Sequence, residues 1–176
     1  MRAFVAIPVP DAVAASLAAL QARLPGGRRV PRENLHLTLA FLDDQPEPAL
    51  EELHGELGDL GAAAFDLTLA GLGVFGGDRP RLLYADIAPN TALSDLHRAV
   101  MGAARRAGMQ LPRRRFHPHV TLARFGAGDA AGLGGFIAAH GATPLPGFRA
   151  TGFGLYRSIL RPDGAVHDML AGYNLG

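Results

Sequence analysis

Residues 36–39 read His36-Leu37-Thr38-Leu39, and residues 119–122 read His119-Val120-Thr121-Leu122. One polar pair thus occurs twice, each time in a short alternating run. An arginine stands four residues ahead of each histidine (Arg32 and Arg115), and each run follows a basic, proline-containing stretch. Alternation with period two predicts a β-strand. Residues i and i+2 of a strand point the same way, about 6.5–7 Å apart. His36 and Thr38 therefore share one face, while Leu35, Leu37, Leu39 and Phe41 share the other and face a core. His119 and Thr121 share a face in the second run, backed by Val120 and Leu122. Two copies of one pair predict two halves that meet at a shared site.

The surrounding elements repeat in the same order. Residues 2–8 read as a buried strand ended by Pro8 and Pro10. Residues 11–24 read as an Ala-rich helix capped by Asp11, with Val13, Leu17, Leu20 and Leu24 on one stripe. A basic loop leads to a strand at 34–42, a helix at 46–60, a strand at 65–69 and a Gly-rich turn at 71–77. The second pass gives a strand at 81–88, a helix at 91–107, a basic loop, a strand at 117–125, a helix at 129–140 and a strand at 148–157. Arg161-Pro162-Asp163-Gly164 predicts a hairpin turn in the tail. The internal repeat predicts an α+β fold of two pseudo-symmetric lobes. Each lobe has an antiparallel-rich sheet lining a central cleft, with helices outside. The repeat units are approximately 1–77 and 78–176, within a single bilobal domain.

Composition narrows the chemistry. The chain has 176 residues, 48% of them hydrophobic, enough for a real core. It has no cysteine, which excludes disulfides, a thiol nucleophile and Cys-ligated zinc. No apolar run approaches a membrane span or a signal peptide, so a soluble, cytoplasmic protein is expected, with no membrane partner, and a monomer. Net charge is +1, and all 17 basic residues are arginine. Compositional bias explains that preference in general. Arg28, Arg29 and Arg32 still precede the first motif, and Arg105, Arg106, Arg113, Arg114 and Arg115 precede the second. Arginine forks suit phosphate.

Two imidazoles can divide proton transfer between a general base and a general acid. Threonine hydroxyls can donate to oxygens that gain negative charge. No Ser or Cys nucleophile and no acidic cluster stands out. The set fits hydrolysis of a phosphodiester, with one histidine deprotonating water and the other protonating the leaving oxygen. No metal or other cofactor is required. The near-symmetry of the motifs leaves the two roles interchangeable. His54, His97, His140 and His167 lack this context and are expected to be surface or packing residues. His117 falls on the His119 face and is a candidate for support or a substrate-edge contact.

The paired motifs resemble the 2H phosphoesterase superfamily, and within it the RNA 2′,3′-cyclic phosphodiesterases, also described as 2′-5′ RNA ligases. The resemblance covers nearly the whole chain. It rests on Arg2-Ala3-Phe4-Val5-Ala6-Ile7, the block Val30 to Leu42, Gly71-Leu72-Gly73-Val74-Phe75, the block Phe116 to Phe125, and Leu155-Tyr156-Arg157-Ser158. Asp43-Asp44 departs from it, since a glycine is often expected there. The resemblance implies hydrolysis of an RNA terminal 2′,3′-cyclic phosphate to a 2′-phosphomonoester, with 2′-5′ RNA ligation as the reverse chemistry. It implies that His36 is the proton donor, His119 the proton acceptor, and Thr38 and Thr121 the phosphate holders. It also implies substrate contacts by Phe41 and Arg124, five residues after each histidine. Strict alternation puts these two on the wrong face, so either a bulge re-aims them or they belong to packing. A hydrolase with His36, His117 and His119 on a metal, and a non-catalytic RNA-end or nucleotide-binding module, are the competing readings. The Gly73–Gly77 region lacks the Gly-Lys-Ser/Thr ending of a phosphate-binding loop, so ATP-driven ligation is not expected.

Overall fold

The computed structural model describes residues 1–176. Strand β1 (Arg2–Pro8) is followed by helix α1 (Asp11–Gln21), the short strand β2 (Arg28–Arg29), a 3₁₀ turn (Arg32–Asn34) and strand β3 (His36–Asp44). Helix α2 (Glu47–Gly58) leads to β4 (Phe65–Leu67) and β5 (Leu69–Phe75). The second half has β6 (Leu82–Ile87), α3 (Thr91–Arg106), β7 (His119–Arg124), α4 (Leu133–His140), β8 (Phe148–Ala150), β9 (Gly152–Arg161) and β10 (Gly164–Asn174). No helix is long and apolar enough to cross a membrane.

Local sequence explains most of these elements. Helix α1 ends at Gln21 rather than at residue 24; it buries Val13, Leu17 and Leu20 of the predicted stripe together with Ala14, and Leu24 is buried just beyond its end. Its N-cap is Pro10, without a side-chain hydrogen bond, so Asp11 is not the cap. Asp11 lies in the first turn, where a carboxylate complements the helix dipole. Helix α3 has a true cap, since Asn90 accepts from the Leu93 amide. Helix α4 begins only at Leu133, after Gly132 at φ +79°. The glycine-rich stretch expected as a turn is instead mostly strand: β5 runs to Phe75, and the chain turns at Gly76 and Gly77. Gly73 is needed within the strand because a Cβ there would lie 2.4 Å from the Tyr84 ring.

The strand order is β10-β9-β1-β3-β7-β6-β5, with β2 beside β7, and every pairing is antiparallel. Strands β4 and β8 form a separate pair. The two lobe sheets join where β3 meets β7, through the single pair Leu37–Val120. The units that repeat in sequence exchange strands in space. β5 of the first half pairs with β6 of the second, and β9 of the second half pairs with β1 of the first. The helices cross over too. Gln21 at the end of α1 donates to the Leu122 carbonyl of β7, and His97 of α3 bonds the Leu39 carbonyl of β3. One hydrophobic cluster, from Val5 and Leu37 to Leu122 and Leu155, runs through both lobes.

Candidate active site

The pairing of Leu37 with Val120 sets the site. Antiparallel register then puts His36 across from Thr121 and Thr38 across from His119. All four flank a pair whose side chains are fully buried on the opposite face. They therefore share the cleft face, with imidazole and hydroxyl alternating around a square. His36, Thr38 and Thr121 line a cleft of about 390 Å³ together with Phe4, Phe41, Arg124 and His167. His119 approaches from the other lobe, among Phe75, Tyr84 and His117.

A bulge in each strand decides the fate of Phe41 and Arg124. The β1–β3 ladder passes from Val5–Ala40 to Ala6–Thr38, skipping Leu39. The β6–β7 ladder passes from Leu83–Ala123 to Tyr84–Thr121, skipping Leu122. In both strands two successive buried residues follow the threonine, and the next residue is exposed: Phe41 in one, Arg124 in the other. The expectation that Phe41 packs with Leu35, Leu37 and Leu39 is thereby corrected, because Phe41 is 60% exposed. The skipped carbonyls are the ones that Gln21 and His97 satisfy, at 2.8 and 2.7 Å. Each bulge is thus contacted by a side chain from the exchanged helix, and the Leu122 carbonyl also accepts from the Val30 amide at 2.9 Å.

The imidazoles are oriented alike. Nδ1 of His36 lies 2.6 Å from the Asn34 carbonyl, and Nδ1 of His119 lies 2.6 Å from the His117 carbonyl. A carbonyl only accepts, so each Nδ1 carries the hydrogen and each Nε2 is left without one. Nε2 of His36 is 3.0 Å from the Thr38 hydroxyl. Burial is the main cause that lowers the His36 pKa to about 4; the Asn34 carbonyl opposes it, while His167, Arg124 and His119 lower it further. Burial also lowers the His119 pKa, opposed by the His117 carbonyl and by Asp86 and assisted by the His117 ring and Arg124. Near neutral pH the free site therefore holds an uncharged His36, ready to accept a proton and lacking one to give.

The other histidines divide. His54 bonds the Tyr173 hydroxyl, His97 stacks on Phe116, and His140 packs on Phe136, all packing roles as expected. His117 bonds Asp86 at 3.3 Å beside His119. His167, expected to pack or lie on the surface, instead faces the cleft 5.3 Å from the His36 ring. Phe4 also belongs to the site, since its ring lies between those of His36 and Tyr156. Neither had a local signal: both reach the cleft through long-range pairing. The arginine clusters serve the site less than their positions suggested. Arg28 and Arg29 line the cleft, but Arg29 is bonded to the Gln21 carbonyl at the end of α1 and to the Leu24 carbonyl just past it. Arg32 bonds the Asp11 carbonyl, and Arg106 pairs with Glu56. Arg105, Arg113, Arg114 and Arg115 do not line the cleft. No three His, Asp or Glu side chains converge as a metal-holding group, the His36, His117 and His119 set included.

This fold with paired His-x-Thr strands is that of the 2H phosphoesterases. Residues 9–158 match the sequence profile of the 2′-5′ RNA ligase superfamily, and the chain belongs to that superfamily. It is 35% identical over 134 residues to an RNA 2′,3′-cyclic phosphodiesterase of Geobacillus stearothermophilus, covering 72% of this chain and 43% of that protein. The chain thus spans less than half the length of that relative. It is 32% identical over 189 residues to an RNA 2′,3′-cyclic phosphodiesterase of Thermus thermophilus, covering 99% of this chain and 90% of that one. Its fold superposes on Escherichia coli LigT complexed with 3′-AMP with a TM-score of 0.79 at 26% identity, covering 99% of this chain and 96% of LigT.

Proposed function

We propose that the chain hydrolyses RNA terminal 2′,3′-cyclic phosphate to a 2′-phosphomonoester without a metal, acting as one bilobal domain. The observation that carries this reading is the square of His36, Thr38, His119 and Thr121 across the joined strands, with both Nδ1 atoms held by carbonyls. The naming of its relatives and the 3′-AMP complex of LigT agree with it. Thr38, Thr121 and Arg124 hold the non-bridging oxygens, and Phe41 offers an exposed ring to the base or sugar. His119 takes a proton from water as the water attacks phosphorus. His36 gives the proton from Nε2 to the leaving 3′ oxygen. Attack and departure on opposite sides of phosphorus fit imidazoles from opposite lobes. A 5′ hydroxyl in place of water gives a 2′-5′ linkage by the same proton transfers.

The His36 pKa of about 4 gives the phosphate a second task. Its negative charge raises that pKa, so His36 becomes an acid when substrate is present. The test is incubation with an RNA ending in a 2′,3′-cyclic phosphate, with and without chelator, followed by identification of the product isomer. A 2′-phosphate formed at equal rates under both conditions supports the reading. Loss of activity with chelator, or binding without turnover, overturns it.

A further inference from the structure

Strand β9 pairs with β1 only from Ala6–Gly154 to Ala3–Arg157. Beyond Arg157 the β9–β10 hairpin continues to its turn at Arg161–Gly164, and residues from Ser158 to His167 line the cleft. Asn34, one of two buried polar residues in the chain, fixes that position. Its side-chain Nδ2 donates to the Ala165 carbonyl at 2.8 Å, while its own carbonyl accepts from His36 Nδ1. One residue therefore ties the hairpin to the catalytic strand. Two residues beyond Ala165, the His167 ring stands edge-on to both His36 and Phe4, at 5.3 and 4.8 Å.

Each histidine of the paired motifs thus has a second imidazole beside it, but in unlike surroundings. His117, beside His119, is bonded to the carboxylate of Asp86. The titratable and charged groups that line the cleft with His167 are His36 of β3, Arg124 of β7, Arg2 of β1, Arg28 and Arg29 of β2, Asp43 at the end of β3, and Arg161 and Asp163 at its own hairpin turn. Asp168 is engaged by Arg157, which donates from both Nε and Nη2 at 2.9 and 2.8 Å. Ser158 lies across the ladder from His167 and also faces the cleft. The His167 ring makes no hydrogen bond within the chain and lines the same cleft as Thr38, Thr121 and Arg124. A half-buried imidazole with free ring nitrogens, in a cleft where five arginines outnumber Asp43 and Asp163, suits an anion held beside Arg124.

We propose that His167 is a third functional imidazole of the cleft, a substrate-binding residue that donates a ring hydrogen bond to a phosphate oxygen held between Arg124 and His36. It rests on the reading of the cleft as a phosphate site. Burial, assisted by Arg124, lowers the His167 pKa in the free protein, and a bound anion acts on it, as on His36, in the opposite direction. The hairpin thereby supplies the first lobe with a contact that the sequence repeat does not contain.

The test uses inorganic phosphate as the probe. Wild type, His167→Ala and His167→Gln are titrated by calorimetry at about pH 5.5 and about pH 8, and the His167 ring is followed by NMR in wild type with and without phosphate. His167→Ala is expected to weaken phosphate about 10-fold at the lower pH and less at the higher, as for a lost charge-assisted hydrogen bond. Glutamine, which can still donate, restores part of the affinity without the pH dependence. Saturating phosphate raises the pH at which the His167 ring titrates. Unchanged affinity in His167→Ala, or a His167 titration that phosphate does not move, overturns the proposal. The wild-type NMR titration decides the matter even where a variant folds poorly. Wild type that shows the phosphate-dependent His167 titration but does not turn over a cyclic phosphate would refute the reaction and leave this contact standing.

Discussion

Replacing His36 by glutamine isolates what the fold does to one imidazole. Burial holds the folded-state pKa at about 4 against an ordinary value of 6.5. That gap corresponds to about 3 kcal/mol, which the partial exposure of the ring reduces to ~2 kcal/mol. Because the folded pKa is the lower one, the unfolded chain takes up the proton first as pH falls. The contribution of neutral His36 is therefore fully present above about pH 6.5, is lost between about pH 6.5 and 4, and changes no further below that. Glutamine removes the proton site, while His119 and His167 remain in both proteins. Urea denaturation at several pH values from about 7.5 to 4.5 should show wild type losing ~2 kcal/mol more than His36→Gln. Parallel stability curves would refute the claim that the folded protein disfavours a charged His36. Added phosphate should reduce the difference, because the anion stabilises the charged ring.

His36→Ala and His119→Ala are each expected to lower turnover about 10²–10⁴-fold, measured on a cyclic-phosphate RNA; near-normal rates in either would rule out the two-histidine mechanism. The pH profile of kcat/KM, which reports the free protein, should reach its maximum below that of kcat, because substrate raises the low His36 pKa; coincident bells would contradict this. Gln21→Leu removes the Nε2 donations to the Val30 and Leu122 carbonyls, while the Leu122 carbonyl keeps the Val30 amide, at a cost of about 1 kcal/mol in chemical denaturation. It should also raise KM by loosening the bulge that aims Arg124. Phe41→Ala should raise KM with little change in melting temperature, since the ring is already exposed.

Much of the site was legible because strand periodicity is local. Alternation alone put His36 with Thr38 and His119 with Thr121, and the buried Leu37, Leu39, Val120 and Leu122 confirm the faces. The same rule misplaced Phe41, because a bulge depends on the partner strand. Ladder partners β1 and β6, and the donors His97 and Gln21, are distant in sequence and fix where the register slips. The arginine clusters misled for a related reason: proximity along the chain says nothing about whether a guanidinium is spent on a helix terminus, as Arg29 is.

The sequence by itself determined the repeated His-x-Thr strands, the helical stripes and the chemistry available to two imidazoles and two hydroxyls. These follow from covalent spacing and from which residues must leave water. Only the tertiary structure decided that the halves exchange strands and meet at the Leu37–Val120 pair. It also decided that bulges turn Phe41 and Arg124 into the cleft, and that a distant hairpin brings His167 to His36. Those outcomes depend on pairing between segments far apart in the chain, where register is set by the joint packing of both faces rather than by either strand alone.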